Sequence, residues 1–349
     1  MTNAPPKAAG GPDFDPAALR AYLAQKLPDA AGEMRLEAIG GGQSNPTYFV
    51  SFDNRRLVLR KQPNGELAPG AHDMSREYRA IAALAPTPVP VPRPVLLETD
   101  RSVIGTTFYV MERVDGRIFY DHRLPGLSRE ERKQLYLSFA DALAEIHNLD
   151  WRGAGLTDLF RPGSFLERQV ERWARPWTGE EGEAKAQGAM VADWLRANRP
   201  VDETAVMTHG DFKLSNAIVD PQSPTIVAVL DWELFTIGEP MLDLAYTLAA
   251  IWRTKPDEYG GILGCDLAEL GIPDEAAFLE RYYATARSDA RVGQFHYVLG
   301  LLRLAGIFHG IGQRAKAGIA AAAGAAETAR LGEIYLRRAY DLLPQAAAA

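Results

Sequence analysis

One stretch of the 349 residues constrains the fold more than any other: AVMTHGDFKLSNAIVDPQSPTIVAVLDWE, residues 205–233. Val206 and Met207 are strand-like, residues 217–219 form a short apolar run, and TIVAVL at 225–230 forms a longer β-branched one. Between the last two lies Asp220-Pro221-Gln222-Ser223-Pro224, a turn by composition. The pattern predicts a hairpin in which Asn216, at the start of one strand, meets Asp231, at the end of the other, at the open end. Two oxygen donors side by side suit a hard cation such as Mg2+, which takes few protein ligands and leaves room for phosphate oxygens.

Asp211 stands on the loop entering the hairpin, with Lys213 two positions on and Asn216 five on. Phosphoryl transfer needs this set: Asp211 to orient an acceptor hydroxyl and take its proton, Lys213 to offset charge on the moving group, Asn216 and Asp231 to hold Mg2+. Any one of these residues alone is more often a turn former or a helix cap. Their joint spacing carries the reading. His209 precedes the base and is expected to hydrogen-bond backbone in the loop, not to carry a proton.

HGDFKLSN followed by LDWE resembles the catalytic loop and metal-binding Asp of the aminoglycoside phosphotransferase and choline kinase family, whose fold is protein-kinase-like. Protein kinases carry Arg second in the loop and end the metal motif in Phe-Gly. Gly210 and Trp232-Glu233 stand there instead, which points to a small-molecule kinase. The resemblance implies ATP and Mg2+ as cofactors. It also implies that Asp243, in GEPMLDLA, is buried and braces the loop together with His209.

Upstream, GGGQSNPTY at 40–48 is a glycine-rich turn between strands, of the kind that brings backbone amides close to phosphate. By the same resemblance it is the nucleotide loop, with Ser44 and Asn45 at its tip and Gly41 and Gly42 among its nucleotide-binding residues. In the strand LVLRK, Arg60 takes the position of the phosphate-binding Lys of kinases, and Lys61 is the second choice, on the opposite face by strand alternation. Met74, Tyr78, Ile81 and Leu84 mark the buried face of a helix, and Glu77 lies on that face. An inward carboxylate requires a partner, and Arg60 is the candidate. TTFYVM at 106–111 is a strand running into a turn; the family resemblance makes this the hinge, with backbone near Glu112 and Val114 contacting adenine.

Beyond the hinge the pattern becomes helical. Ser128 with Glu131 forms a capping box, and Leu135, Phe139, Leu143 and Ile146 form a stripe. FRPGSFLERQVERWARPW, residues 160–177, reads as a helix with Arg168, Arg172 and Arg175 on one face. With Glu167 and Glu171 alongside, a salt-bridged solvated surface is the favoured reading and an anion site the other. RQVERW, together with GGGQSNPTY, VLRK and HGDFKLSN, resembles the kinase-like domain found in front of certain animal acyl-CoA dehydrogenases. That resemblance implies a hydroxyacyl-CoA as acceptor. An aminoglycoside or a choline-type alcohol remain open, as does a catalytically inactive pseudokinase, although every catalytic position is filled. Nothing resembles the dehydrogenase itself, so neither flavin nor oxidation chemistry is expected.

The expected architecture is α+β and two-lobed. Residues 1–13 read as disordered, 14–113 as a small lobe with an antiparallel sheet and one packed helix, and 114–349 as a larger, mainly helical lobe. One cysteine, Cys265, fits a reducing compartment. No stretch is read as a signal peptide or as approaching the ~18 apolar residues of a membrane span, so a cytoplasmic protein is expected. Residues 1–116 hold 13 Lys+Arg and 13 Asp+Glu against totals of 38 and 45, so the whole net charge of −7 lies in the C-terminal part. That disfavours nucleic-acid partners and would suit a cationic substrate. The expected partner is a small hydroxyl acceptor, with a homodimer through the alanine-rich run 319–326 as an open possibility.

Overall fold

The structure, a computed structural model, describes residues 11–40, 45–65, 72–179, 182–200, 204–316 and 325–344. Along the chain run α1 (Pro16–Lys26), β1 (Arg35–Ile39), β2 (Thr47–Ser51), β3 (Arg56–Lys61), α2 (Met74–Leu84), β4 (Pro94–Glu98), β5 (Phe108–Glu112), α3 (Arg129–His147), α4 (Phe165–Ala174), α5 (Gly182–Ala197) and β6 (Val206–Thr208). There follow β7 (Ala217–Val219), β8 (Ile226–Val229), β9 (Thr236–Gly238), α6 (Pro240–Ile251), α7 (Pro256–Tyr259), α8 (Leu267–Leu270), α9 (Glu275–Thr285), α10 (Gln294–Lys316) and α11 (Ala325–Asp341). They form two compact units, one of 1–119 with 214–235 and one of 120–213 with 236–349.

In the first unit five antiparallel strands run in the order β1-β2-β3-β5-β4. Asp15 caps α1 and Pro16 opens it, and its Leu19 and Leu23 pack on Val50, Leu57, Leu59, Phe108 and Val110 of the sheet. Strand alternation sends Leu57, Leu59 and Lys61 to this face, and Val58 and Arg60 to the other. Lys61 has no exposed surface; its Nζ lies 2.8 Å from Asp13 Oδ2 and 3.3 Å from Asn64 Oδ1. Asp13 therefore belongs to the fold, a correction to a disordered segment running through residue 13, because a buried ammonium needs a counter-charge.

The hairpin of β7 and β8 pairs Ala217 with Val229, and Asp220 fixes its turn by accepting from the amides of Gln222 and Ser223 at 2.8 and 2.9 Å. It belongs to the first unit, whereas the sequence assigned everything beyond residue 113 to the other lobe. The cause is visible in its backbone bonds: Val219 exchanges bonds of 2.7 and 2.8 Å with Arg117, and Val229 donates to Pro90 O at 2.8 Å. Gly116 permits this pairing, since a Cβ there would lie 2.4 Å from Val219 O.

The second unit is helical around one short ribbon, β6 antiparallel to β9. All twelve residues of α6 are buried. Phe295, Leu299, Leu302 and Phe308 of α10 share its core with Leu166, Val170, Trp177, Leu242 and Tyr335. The helix carrying RQVERW begins only at Phe165, capped by Ser164, and gives way to a 3-10 turn at Arg175. Contrary to expectation, one segment among the described residues, Gln294–Ala315, is long and apolar enough to cross a bilayer; 72% of its most apolar window is buried, as a core helix requires. Residues 319–324 of the alanine-rich run lie outside the described residues.

Asp13→Ala is expected to lower the unfolding free energy by about 1–3 kcal/mol, the cost of leaving a buried polar group short of its partner. Urea titration would show it as a lower midpoint at an unchanged m-value. An unchanged midpoint would mean that Lys61 does not depend on Asp13.

Candidate active site

In the first unit the site is built around Arg60. Its side chain, 14% exposed, sets Nη2 2.7 Å from Asp231 Oδ1 and 3.8 Å from Glu233 Oε2, with Nε 3.0 Å from Glu77 Oε2. The Asp231 contact is aligned as a hydrogen bond; the Nε contact to Glu77 is an ion pair whose N–H is not directed at the carboxylate. Burial opposes the Arg60 charge, but the acidic groups of Tyr109, Glu77 and Asp231 more than offset this and its pKa rises. Glu77 is the member that yields: burial pushes its carboxyl up to about 7, against the pull of Arg60 and with the push of Asp231 and Glu233. The Tyr109 hydroxyl donates to Glu77 Oε2 at 3.1 Å.

Asn45 joins the same network. Its Nδ2 donates to Glu77 Oε1 at 2.8 Å and reaches Glu233 Oε2 at 3.5 Å, and its Oδ1 lies 2.8 Å from His72 Nδ1. At the hairpin's open end Leu230 N donates to Asn216 O at 2.7 Å, which brings Asp231 one residue beyond that pair. Asp231 adopts φ 65° and ψ 62°, a left-handed conformation that Asp tolerates better than most residues and that marks places where function outranks comfort. Three carboxylates thus surround one guanidinium, and the donor atoms at the hairpin's end are hard oxygens. Among the described residues no cluster of three His, Cys, Asp or Glu is arranged to chelate a metal. Mg2+ does not require one, because it keeps water and phosphate in most of its sites.

In the second unit the loop after β6 is held by buried groups. Asp243, in the first turn of α6, accepts from the amides of His209 and Gly210 at 2.7 and 2.8 Å, and His147 Nε2 lies 3.3 Å away. Burial alone would raise the Asp243 pKa; His147, His209 and Arg303 lower it below the ordinary value. Gly210 sits at φ +85°, which a side chain resists. Arg303 of α10 donates to Gly210 O, and Thr247 Oγ1 donates to Phe212 O at 2.9 Å. The loop leaves Asp211 with one oxygen 2.7 Å from the Tyr246 hydroxyl and the other 2.9 Å from Lys213 Nζ. Burial lowers the Lys213 pKa, but the adjacent Asp211 charge reverses this and raises it.

The structure therefore joins Asn45, Arg60, Glu77 and Asp231 in one unit, and Asp211, Lys213, His209 and Asp243 in the other. His209 accepts from Asp211 N at 3.1 Å through Nδ1, a backbone bond. Lys61 is engaged on the far face of the sheet from Arg60. Glu112 N is bonded to Arg93 O at 2.8 Å, and Val114, two residues on, is partly exposed. Gly41, Gly42 and Ser44 lie outside the described residues. Sequence reasoning missed Glu233, Tyr246, His147 and Arg303. Two left a signal: Glu233 falls two after Asp231, and Tyr246 falls three after Asp243 on one helix face.

The model of the phosphotransferase enzyme family matches residues 35–307. A crystal structure from Ralstonia eutropha, provisionally assigned as an aminoglycoside phosphotransferase, is 36% identical and superposes with a TM-score of 0.85 over 94% of this chain and 98% of that one. A thermostable mutant of aminoglycoside phosphotransferase APH(4)-Ia, in ternary complex with AMP-PNP and hygromycin B, gives 0.62 at 16% identity over 95% of this chain and 99% of that one, a likeness of fold. Acyl-CoA dehydrogenase family member 11 of Rattus norvegicus is 37% identical over 86% of this chain and 40% of its own length. Member 10 of Mus musculus is 35% identical over 93% and 31%. The chain spans less than half the length of these curated relatives.

Asp243→Asn would turn an amide N–H toward a backbone N–H and is expected to cost about 2–3 kcal/mol. Because the folded pKa of Asp243 lies below its unfolded one, its contribution is present above the ordinary carboxylate range and lost as pH falls through the folded value. Denaturation midpoints of wild type and variant should therefore converge on acidification. A gap that stays constant with pH would contradict the assignment.

Proposed function

The chain belongs to the phosphotransferase enzyme family and is a small-molecule phosphotransferase, and from this premise we propose that it moves the γ-phosphoryl group of ATP, with Mg2+, onto a hydroxyl of an acyl-CoA. The observation that carries the transfer is Asp211, each of whose carboxylate oxygens has a fixed partner, Tyr246 or Lys213, at 2.7 and 2.9 Å. The acyl-CoA reading draws on relatives that are acyl-CoA dehydrogenase family members. An aminoglycoside acceptor is the second reading, from the assignment of the Ralstonia relative.

Asp211 takes the acceptor's proton as the hydroxyl oxygen attacks, and the Tyr246 and Lys213 contacts hold the carboxylate in one orientation for that transfer. Lys213 also offsets charge on the phosphoryl oxygens, and Arg60 does so from β3. Asn216 and Asp231 would hold Mg2+, which supplies charge neutralisation along the phosphate chain. Glu77 and Asn45 fix Arg60 and the end of the nucleotide loop. Asp243 keeps the loop amides in register without touching the reacting atoms.

ADP release against a panel of hydroxyacyl-CoAs, aminoglycosides and choline tests this. Stimulation by one class names the acceptor, and Asp211→Ala should lower that turnover by at least ~10^2 with ATP affinity nearly unchanged. Loss of ATP binding in a folded Asp211→Ala protein would contradict the role given to Asp211, and ATP binding without release in the wild type would favour an inactive nucleotide-binding module.

A further inference from the structure

The acids of α4 do not neutralise its arginines. Glu171 is bonded to Arg196 at 2.7 and 2.9 Å, Glu167 lies 3.9 Å from Arg199, and Arg168 spends its donors on the carbonyls of Pro162 and Arg161 at 3.1 and 3.3 Å. Arg172 has no carboxylate within ion-pair distance among the described residues; its guanidinium lies 4.8 Å from the Trp173 ring centre. The helix is salt-bridged and solvated as its charge pattern suggested, but its acids pair with Arg196 and Arg199 and not with its own arginines.

A second guanidinium that makes no ion-pair contact among the described residues lies beside the same indole. Arg303, 8% exposed, lies 5.7 Å from the Trp173 ring and 4.6 Å from that of Tyr246. Among the described residues its one hydrogen bond goes to the carbonyl of Gly210, the residue before Asp211, and its buried Nε has no partner. Gly306 on α10 gives the indole room, since a Cβ there would lie 2.8 Å from the Trp173 ring. Asp243 feels the Arg303 charge, but its oxygens are already taken by the His209 and Gly210 amides and by His147. Arg172 is exposed, and partial burial together with the Arg303 charge lowers its pKa.

Two like charges lie beside one indole, neither in ion-pair contact with a carboxylate among the described residues, and a ligand anion would relieve their repulsion. We propose that exposed Arg172 and buried Arg303, both beside the Trp173 ring, seat an oxyanion carried by the phosphate acceptor. The proposal rests on Asp211 as the base, one residue from the carbonyl that Arg303 holds. It makes the acceptor anionic, against the cationic substrate that the overall charge would suit. A guanidinium binds carboxylate and phosphate with the same fork. The anion is thus either the carboxylate of a free hydroxy acid or a phosphate of its thioester carrier.

The test is calorimetric titration of the full chain, saturated with Mg2+ and ADP, with three probes: coenzyme A, 3-hydroxybutyrate and kanamycin. One of the two anionic probes should bind, and its identity names the anion. Arg172→Gln, at an exposed position, should weaken that binding about tenfold or more, in line with a lost charge-assisted hydrogen bond, with Mg–ADP affinity and Tm unchanged. In turnover the same variant should raise KM for the acceptor and leave kcat within about twofold, a split that a merely structural role would not produce. Arg303→Lys, which keeps the charge but not the fork, should weaken the anion as well. Binding of kanamycin in preference, binding of neither anion, or anion binding unaffected by Arg172→Gln would overturn the proposal. A chain that fails to bind Mg–ADP at all would instead overturn the phosphotransferase reading, and the proposal with it.

Discussion

The Arg60 guanidinium is the interaction on which the first unit depends. It ties β3 of the sheet to α2 through Glu77 and to the end of the β7–β8 hairpin through Asp231, three segments otherwise far apart in the chain. One positive charge faces three carboxylates there, because Glu233 also lies within 3.8 Å. The local excess is negative. Burial and the neighbouring acids push Glu77 up to about 7, so the cluster is poised to welcome further positive charge. A hairpin that ends in hard oxygen donors at this point is chemically suited to a divalent cation.

The second unit solves a different problem: a loop must present a carboxylate at a defined angle although loops are soft. Buried Asp243 binds two successive amides, Arg303 binds the carbonyl between His209 and Asp211, and Phe212 stacks on Phe139 with ring centres 4.1 Å apart. Each backbone group thus has a partner that is itself fixed in a helix. Asp211 inherits that rigidity, and Tyr246 and Lys213 finish its orientation.

The hairpin, α1, the Lys61 face and the Glu77 face were legible in the sequence because each follows from a short-range rule: turn chemistry at 220–224, Asp15-Pro16 at a helix start, alternation along β3, and helical spacing about Met74. Asp13 was not legible, since a terminal stretch of Pro, Gly and Ala hides one residue needed by a buried lysine. Nor were the supports of the catalytic loop. His147 reaches Asp243 across 96 positions and Arg303 reaches Gly210 across 93, and such meetings are set by how helices pack, not by local pattern. The partners of the α4 acids were not legible for the same reason. Spacing of i, i+4 makes intrahelical pairs possible, but Glu171 found Arg196 on α5 instead.

The most direct measurement is calorimetric titration of ATP into the chain with and without Mg2+, repeated with Asp231→Ala. If Arg60, Asn216 and Asp231 form the metal–phosphate end of a phosphotransferase site, wild type binds ATP in a Mg2+-dependent manner and the variant loses that dependence while staying folded. A folded wild type that binds no ATP, or binds it equally well without Mg2+, would contradict the account.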